Sequence, residues 1–205
     1  MSVPAFANVV ADEPASIGSA RAHADEVGCP AIAPAVGTTL AALATAVKAR
    51  AVVEIGTGAG VSTLWLLTGI RPDGVLTSVD YDGEHQRAAR LALVEADVPT
   101  QRARLINGSA SDVLPRLADG GYDLVFCDAT PGEYPDYLTH VQRILRPGGI
   151  LAWHGLLWRD RVADPSARDP DTVAWRDLIA ALRVDPTIRT AVLPVGDGLL
   201  IAIRS

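Results

Sequence analysis

Lysine is almost missing from this chain. Lys48 is the only one, arginine carries nearly all the basic charge, and the net charge is −6. A row of phosphates calls for clustered Lys and Arg, and no such cluster is present, so no nucleic-acid partner is expected. Cysteine is nearly as scarce. Cys29 and Cys127 lack C-x-x-C spacing and read as two buried thiols in a reducing compartment. No apolar run approaches the ~18 residues that cross a bilayer. The apolar start, residues 1–10, has no basic flank before Arg21, which argues against a secretory signal. Internal repeats and low-complexity tracts are also lacking. The expectation is a cytoplasmic chain with no membrane partner, working on a small molecule.

What is present is a chain of 205 residues, 49% hydrophobic and 20% charged, of a length and composition suited to one globular domain. Domain limits of 1–205 are expected, with a helical N-terminal appendage over 1–50 and a core over 51–205. Short Val-, Ile- and Leu-rich runs recur at Ala51–Ile55, Val75–Asp80, Arg102–Asn107, Tyr122–Asp128, Gly149–His154, Thr187–Pro194 and Gly198–Ile203. Gly, Asp or Pro bounds them, as suits buried strands. Helical spacing fills the gaps among the first five. Ala88, Leu91, Ala92 and Glu95 are expected on an inner face, with Arg87 and Arg90 outside. Alternating strands and helices predict a parallel sheet covered on both faces.

The last two runs are joined by Val195, Gly196 and Asp197 alone. A parallel crossover needs a dozen residues or more, so this pair is an antiparallel hairpin. Five alternating strands plus such a hairpin is the layout of a Rossmann-like class I methyltransferase fold: an α/β fold with a seven-stranded, mostly parallel sheet. Residues 14–27 and 34–50 read as two extra N-terminal helices, the second with Leu40, Leu43, Ala44 and Val47 on one face. They cover a ligand or a partner subunit, or simply pack. Residues 160–171 (DRVADPSARDPD) read as a loop at the strand tips.

The first strand runs directly into Gly56-Thr57-Gly58-Ala59-Gly60 and a helix start at Val61-Ser62. Glycines let the backbone turn tightly and let a ligand approach it, and helix N-terminal amides face that ligand. The dinucleotide fingerprint G-x-G-x-x-G breaks at Val61, which disfavours a nicotinamide dehydrogenase, as does the C-terminal hairpin. Asp80 ends the second strand, close to the ~20-residue spacing at which an acid reaches nucleoside ribose hydroxyls. Glu54, just before the glycines, suits the ammonium of an amino-acid moiety, which NAD lacks. Together they point to S-adenosylmethionine, against the plainer reading of two solvated strand ends.

With these motifs in hand, the sequence resembles the bacterial O-methyltransferase branch of the catechol/caffeoyl-CoA O-methyltransferase-like family, closest to an actinobacterial subgroup. The resemblance covers about Val36 to Arg204. Its marks are VVEIGTGAGVSTLWL (52–66), LTSVDYDGEHQRAARLAL (76–93), YDLVFCDATPGEYPDYL (122–138), LRPGGIL (145–151), LLWRDRVADP (156–165) and LPVGDGLLIA (193–202). It implies that Val36, Glu54, Gly56, Thr57 and Ser62 surround the methionine end, that Asp80 holds the ribose, and that Ser109 and Ala110 flank the adenine. Gly58, Gly60, Tyr81, Asp128 and Thr130 complete the implied cofactor set. It also implies a homodimer.

The sequence departs from that family where a divalent metal and a lysine base belong. Asp128 matches the first ligand, but the Asp-Asn pair falls on His154-Gly155 and the lysine on Pro131. One carboxylate does not furnish a Mg²⁺ site, so no metal is expected; a softer ion on Asp128 and His154 would have two protein ligands. Asp128 and His154 are the catalytic candidates. His154 has a side chain suited to removing a proton near neutral pH, or else it merely hydrogen-bonds at a strand end. Trp153, Trp158 and Tyr134 are placed beside the acceptor, while Trp65 and Trp175 are assigned to the core. His23, His85 and His140 are assigned to helix surfaces. The expected activity is methyl transfer to a hydroxyl of a small acceptor, aromatic ones included; the alternative is a cofactor-binding protein that has lost transfer.

Overall fold

The computed structural model describes residues 2–205. Helices α1 (Val3–Val10), α2 (Ala15–Glu26) and α3 (Pro34–Ala46) precede β1 (Ala51–Ile55), α4 (Val61–Gly69), β2 (Val75–Asp80), α5 (Gly83–Glu95) and β3 (Ala103–Asn107). The chain continues through a short α6 (Ala110–Val113), β4 (Tyr122–Cys127), α7 (Tyr134–Ile144), β5 (Leu145–His154), α8 (Pro170–Val184), β6 (Ile188–Leu193) and β7 (Leu199–Arg204). The sheet order is β3-β2-β1-β4-β5-β7-β6, with β5–β7 and β7–β6 antiparallel and the other pairs parallel. This is the Rossmann-like methyltransferase architecture that the strand spacing predicted.

Helices cover both sheet faces. Val52, Leu76, Leu124 and Phe126 point to the side of α2 to α5, whereas Val53, Val79, Val125 and Leu151 point to α7 and α8. Such strands are apolar on both faces, which is why they read as runs and not as alternation. One carboxylate ties three strand starts together. Asp123 Oδ2 accepts the Arg50 and Ala51 amides at 2.7 and 2.9 Å, while its Oδ1 accepts Arg146 Nε at 2.6 Å.

Two differences from the sequence reading have physical causes. The first is α1, a third N-terminal helix with Val3, Phe6, Val9 and Val10 exposed and no residue buried; Asn8 is its one polar residue, too little to mark a polar face. Second, the inner face of α5 is formed by Gln86, Ala89 and Leu93 beside Ala88 and Ala92, while Leu91 is 56% exposed and Glu95 is also outside. Gln86 is drawn inward by hydrogen bonds from its Nε2 to Thr57 Oγ1 and the Ile106 carbonyl. The packing role that the sequence left open for α2 and α3 is filled: Ile17, Ala20, Leu40 and Ala44 pack with Val52 and Leu76. Contact there is tight, since a Cβ on Gly37 would lie 2.2 Å from the Trp65 indole.

Candidate cofactor and acceptor site

The strand order reverses between β1 and β4, and a cavity of about 390 Å³ opens beyond their carboxyl ends, where ligands of open α/β sheets lie. Of the implied cofactor residues, Gly56, Asp80, Tyr81, Ala110, Asp128 and Thr130 line it. Thr57, Ser62 and Asp128 line a much smaller adjoining pocket that shares Cys29 and Pro30 with it. Arg21 steadies the segment carrying Cys29 and Pro30: it pairs with Glu13 at 2.6 Å and donates to the Ile32 carbonyl at 2.7 Å. Burial pushes the Cys29 thiol's pKa up, against a hydrogen bond from the Ala59 backbone.

The glycine turn is shaped by packing. Gly56 has φ +92°, and a Cβ there would fall 2.0 Å from the Asp128 carbonyl oxygen. Asp80 braces the turn from the next strand. Its Oδ2 accepts the Gly58 amide and its Oδ1 the Asp82 amide, both at 2.9 Å, leaving further lone pairs for a ligand. Gly60 starts α4 in the left-handed region against Ala89. Ser109 caps α6 through the Ser111 amide, with Ala110 facing the cavity. The structure does not bring Val36 or Glu54 to the wall of the main cavity. Val36 is fully buried under the β6–β7 turn, where a Cβ on Gly196 would meet its Cγ2 at 2.7 Å.

Glu54 sits at the end of a buried polar chain. Its Oε2 accepts Thr63 Oγ1 at 2.5 Å and Ser78 Oγ at 2.6 Å, and Ser78 and Thr57 share a hydrogen bond of 2.6 Å. Oε1 is buried without a partner. Burial raises the carboxyl pKa to about 7, against the opposing pull of the Ser62, Ser78 and Thr63 hydroxyls.

Across the cavity, Asp128 follows β4 and His154 ends β5. Their side chains meet, with Nδ1 at 3.1 Å from Oδ1. Asp128 faces the cavity; His154 stands behind it with 15% of its side chain exposed. Burial pulls the His154 pKa down, but the hydrogen bond and charge of Asp128, with Asp197 adding, push it further up, for a net rise. As a metal site this corner does not fit. Gly155 has no side chain, Pro131 replaces the lysine, and an Asp128 oxygen is already engaged by His154. Among the described residues no group of three or more His, Cys, Asp or Glu is gathered as cation ligands.

On the Asp128 side the wall also includes Pro131, Glu133, Tyr137 and Trp158. Trp153 and Tyr134, placed here by the sequence reading, are core residues, 0% and 1% exposed. Tyr134 packs edge-on to Trp175 at 4.9 Å and near Trp153 at 5.8 Å, and its hydroxyl donates to the Ala129 carbonyl. Trp65 and Trp175 are core, as expected. His85, assigned to the surface, lines the cavity 3.9 Å from Asp80; its place on the first turn after the Asp82 cap was the available signal. Trp158 begins three consecutive non-glycine residues with positive φ: Trp158 +46°, Arg159 +54° and Asp160 +64°. Each left-handed residue costs roughly 1–2 kcal/mol, which the turn's own bonds, such as the Arg161 amide to the Trp158 carbonyl at 3.1 Å, share with bonds from outside it.

Sheet, glycine turn and carboxylates together describe a methyltransferase of the Rossmann-like class. Residues 20–205 match the O-methyltransferase family model, and the chain belongs to that family. A "putative O-methyltransferase" of Mycobacteroides abscessus is 48% identical over 92% of this chain and 87% of its own. A Corynebacterium glutamicum protein of known structure is 31% identical with a TM-score of 0.88, covering 95% of this chain and 91% of that one. The O-methyltransferase TomG of Streptomyces achromogenes, solved in complex with SAM and involved in tomaymycin synthesis, is 26% identical with a TM-score of 0.89 and full coverage of both chains.

Proposed function

We propose that this chain is an S-adenosylmethionine-dependent O-methyltransferase that methylates a hydroxyl of a small acceptor, aromatic ones included, without Mg²⁺. The observation that carries the reading is the cavity with Asp80 on one side of β1 and Asp128 on the other. Its two ends differ in chemistry, as a nucleoside and an acceptor require. The SAM complex of TomG supports the choice of cofactor. The partnerless Glu54 Oε1 adds a buried acceptor atom beneath the glycine turn, suited to a nearby cation. The proposed cofactor residues remain Val36, Glu54, Gly56, Thr57, Gly58, Gly60, Ser62, Asp80, Tyr81, Ser109, Ala110, Asp128 and Thr130, with Val36 and Glu54 acting from behind the cavity wall.

The bound cofactor supplies an already activated methyl group on sulfur. What remains for the protein is to align an oxygen and to take its proton. Asp128 faces the cavity and accepts the acceptor hydroxyl's hydrogen bond. His154 holds that carboxylate in place, and the pair takes up the proton as one coupled unit. Trp158 offers a flat apolar surface to the acceptor ring. No step passes through a metal, because the donor set at Asp128 and His154 does not suit one.

The partner, location and domain readings are likewise proposals. The exposed apolar face of α1 supports a homodimer. Two free buried cysteines support a reducing cytoplasm, and net charge supports a partner that is not nucleic acid. Among the described residues no helix is long and apolar enough to cross a membrane. Residues 1–205 act as one catalytic unit.

The test is a panel of phenolic acceptors with isotope-labelled cofactor, run with Mg²⁺ and with chelator. Labelled product that survives chelator supports the proposal. Abolition by chelator refutes the metal-independent reading. Calorimetric binding of S-adenosylhomocysteine without turnover of any acceptor supports the alternative of an inert binder.

A further inference from the structure

The turn between β6 and β7 and the loop after β5 are sewn together. Gly155 and Leu156 donate their amides to the Gly198 carbonyl at 2.9 and 3.3 Å, and Leu157 donates to the Asp197 carbonyl at 2.8 Å. One side chain joins this backbone seam: Asp197 Oδ1 accepts the Arg159 amide at 2.9 Å. Arg159 is the middle of the three left-handed residues, and Trp158, immediately before it, lines the cavity. Non-glycine residues leave that conformation unless something holds them in it. At the middle residue of this turn the holding bond is the one to Asp197.

We propose that Asp197 is a positioning residue for the methyl acceptor: by accepting the Arg159 amide it holds the left-handed turn that presents the Trp158 ring to the cavity. Nothing in the proposal needs Asp197 to touch substrate. It rests on reading the Trp158 end of the cavity as the acceptor side, so one readout must be independent of turnover. The sequence supplies it. Trp65, Trp153 and Trp175 are at most 4% exposed, so acrylamide quenching of the native protein reports chiefly on Trp158.

The experiment compares Asp197→Ala, Asp197→Asn and the double variant Arg159→Gly/Asp197→Ala with the parent. Asp197→Ala is expected to raise acrylamide quenching and the acceptor KM, the latter about tenfold, as for loss of one hydrogen bond. Affinity for S-adenosylhomocysteine should stay at the parental value. Asp197→Asn keeps a side-chain oxygen in place and should match the parent in quenching and in acceptor KM above the His154 titration, although its lost charge lowers the His154 pKa. In the double variant, glycine adopts the left-handed conformation freely, so quenching and KM should return toward parental values.

Parental quenching and KM in Asp197→Ala would overturn the proposal. So would equal damage from Asn and Ala, which would point to charge and not to the bond, or failure of the glycine to rescue. Should the alanine variant not fold, the asparagine and double variants carry the same decision through quenching. Should the parent methylate no acceptor, the proposed acceptor site fails, while quenching still decides whether Asp197 holds the turn.

Discussion

His154 Nδ1 and Asp128 Oδ1 lie 3.1 Å apart, brought together by the ends of two adjacent parallel strands, β5 and β4. His154 thereby has an environment that favours its charged form, and its pKa rises above 6.5 in spite of burial. Catalysis that deposits a proton on the pair needs it deprotonated. Activity should therefore climb with pH through the raised His154 pKa. In Asp128→Asn the climb should move to lower pH, as a kcat/KM–pH profile will show. His154→Ala should lower kcat by roughly 10²–10⁴-fold while leaving S-adenosylhomocysteine affinity unchanged. For stability the sign runs the other way. The pairing stabilises the fold fully below the ordinary histidine pKa and is lost as pH rises through the folded-state value.

Glu54 gives a second pH dependence. Its carboxyl pKa is raised from 4.5 to about 7, first by burial, so the folded state keeps a proton that the unfolded chain releases. Stability is then greatest below pH 4.5 on this account and declines up to about pH 7. The total is about 3 kcal/mol at 1.36 kcal/mol per pH unit. Glu54→Gln cannot ionise and should flatten the melting temperature over this interval. Differential scanning fluorimetry from acid to neutral pH checks it.

Asp80 performs two tasks with one carboxylate. Asp80→Ala removes the acceptor of the Gly58 amide together with the proposed ribose contact. Charge-assisted hydrogen bonds are worth roughly 1.5–3 kcal/mol, so S-adenosylhomocysteine should bind about ten- to a hundredfold more weakly by calorimetry. Unchanged affinity would remove the central support for the cofactor proposal.

Two glycines should respond oppositely to alanine. Gly56→Ala drives a Cβ into the Asp128 carbonyl at a backbone angle alanine avoids, so little folded protein should accumulate. Gly18 lies within α2 with nothing inside 4 Å of its would-be Cβ. Gly18→Ala should stabilise by roughly 0.5–1 kcal/mol. Thermal melts of both decide the matter.

Much of this was legible in the residues. Six of the seven strand runs matched strands to within one residue at each end, and the three-residue link before Gly198 forced the hairpin. The exception is β5, which starts at Leu145 and not Gly149, because Tyr122 already pairs with Leu145 before an irregularity in the register. What stayed hidden depended on which way a side chain turns. Trp153 lies on a strand buried on both faces, so nothing in its neighbours distinguishes core from cavity. Tyr134 opens α7 next to Glu133 of the cavity wall, and only the packing of Trp175 on its ring separates core from acceptor pocket. Gln86 and His85 carry polar side chains that ordinary amphipathic reasoning puts outside, yet the first bonds inward to Thr57 and the second lines the cavity.

Strand β1 is third in the sheet, with β2 and β3 on one flank and β4, β5 and the hairpin on the other. Segments that would grip the nucleoside and segments that would select what is methylated therefore leave the scaffold on separate sides of a dividing strand. Drift, or deliberate engineering, can reshape one territory without disturbing the other. A set of sequences sharing this scaffold would then be free to diversify in what they modify while drawing on a single methyl donor.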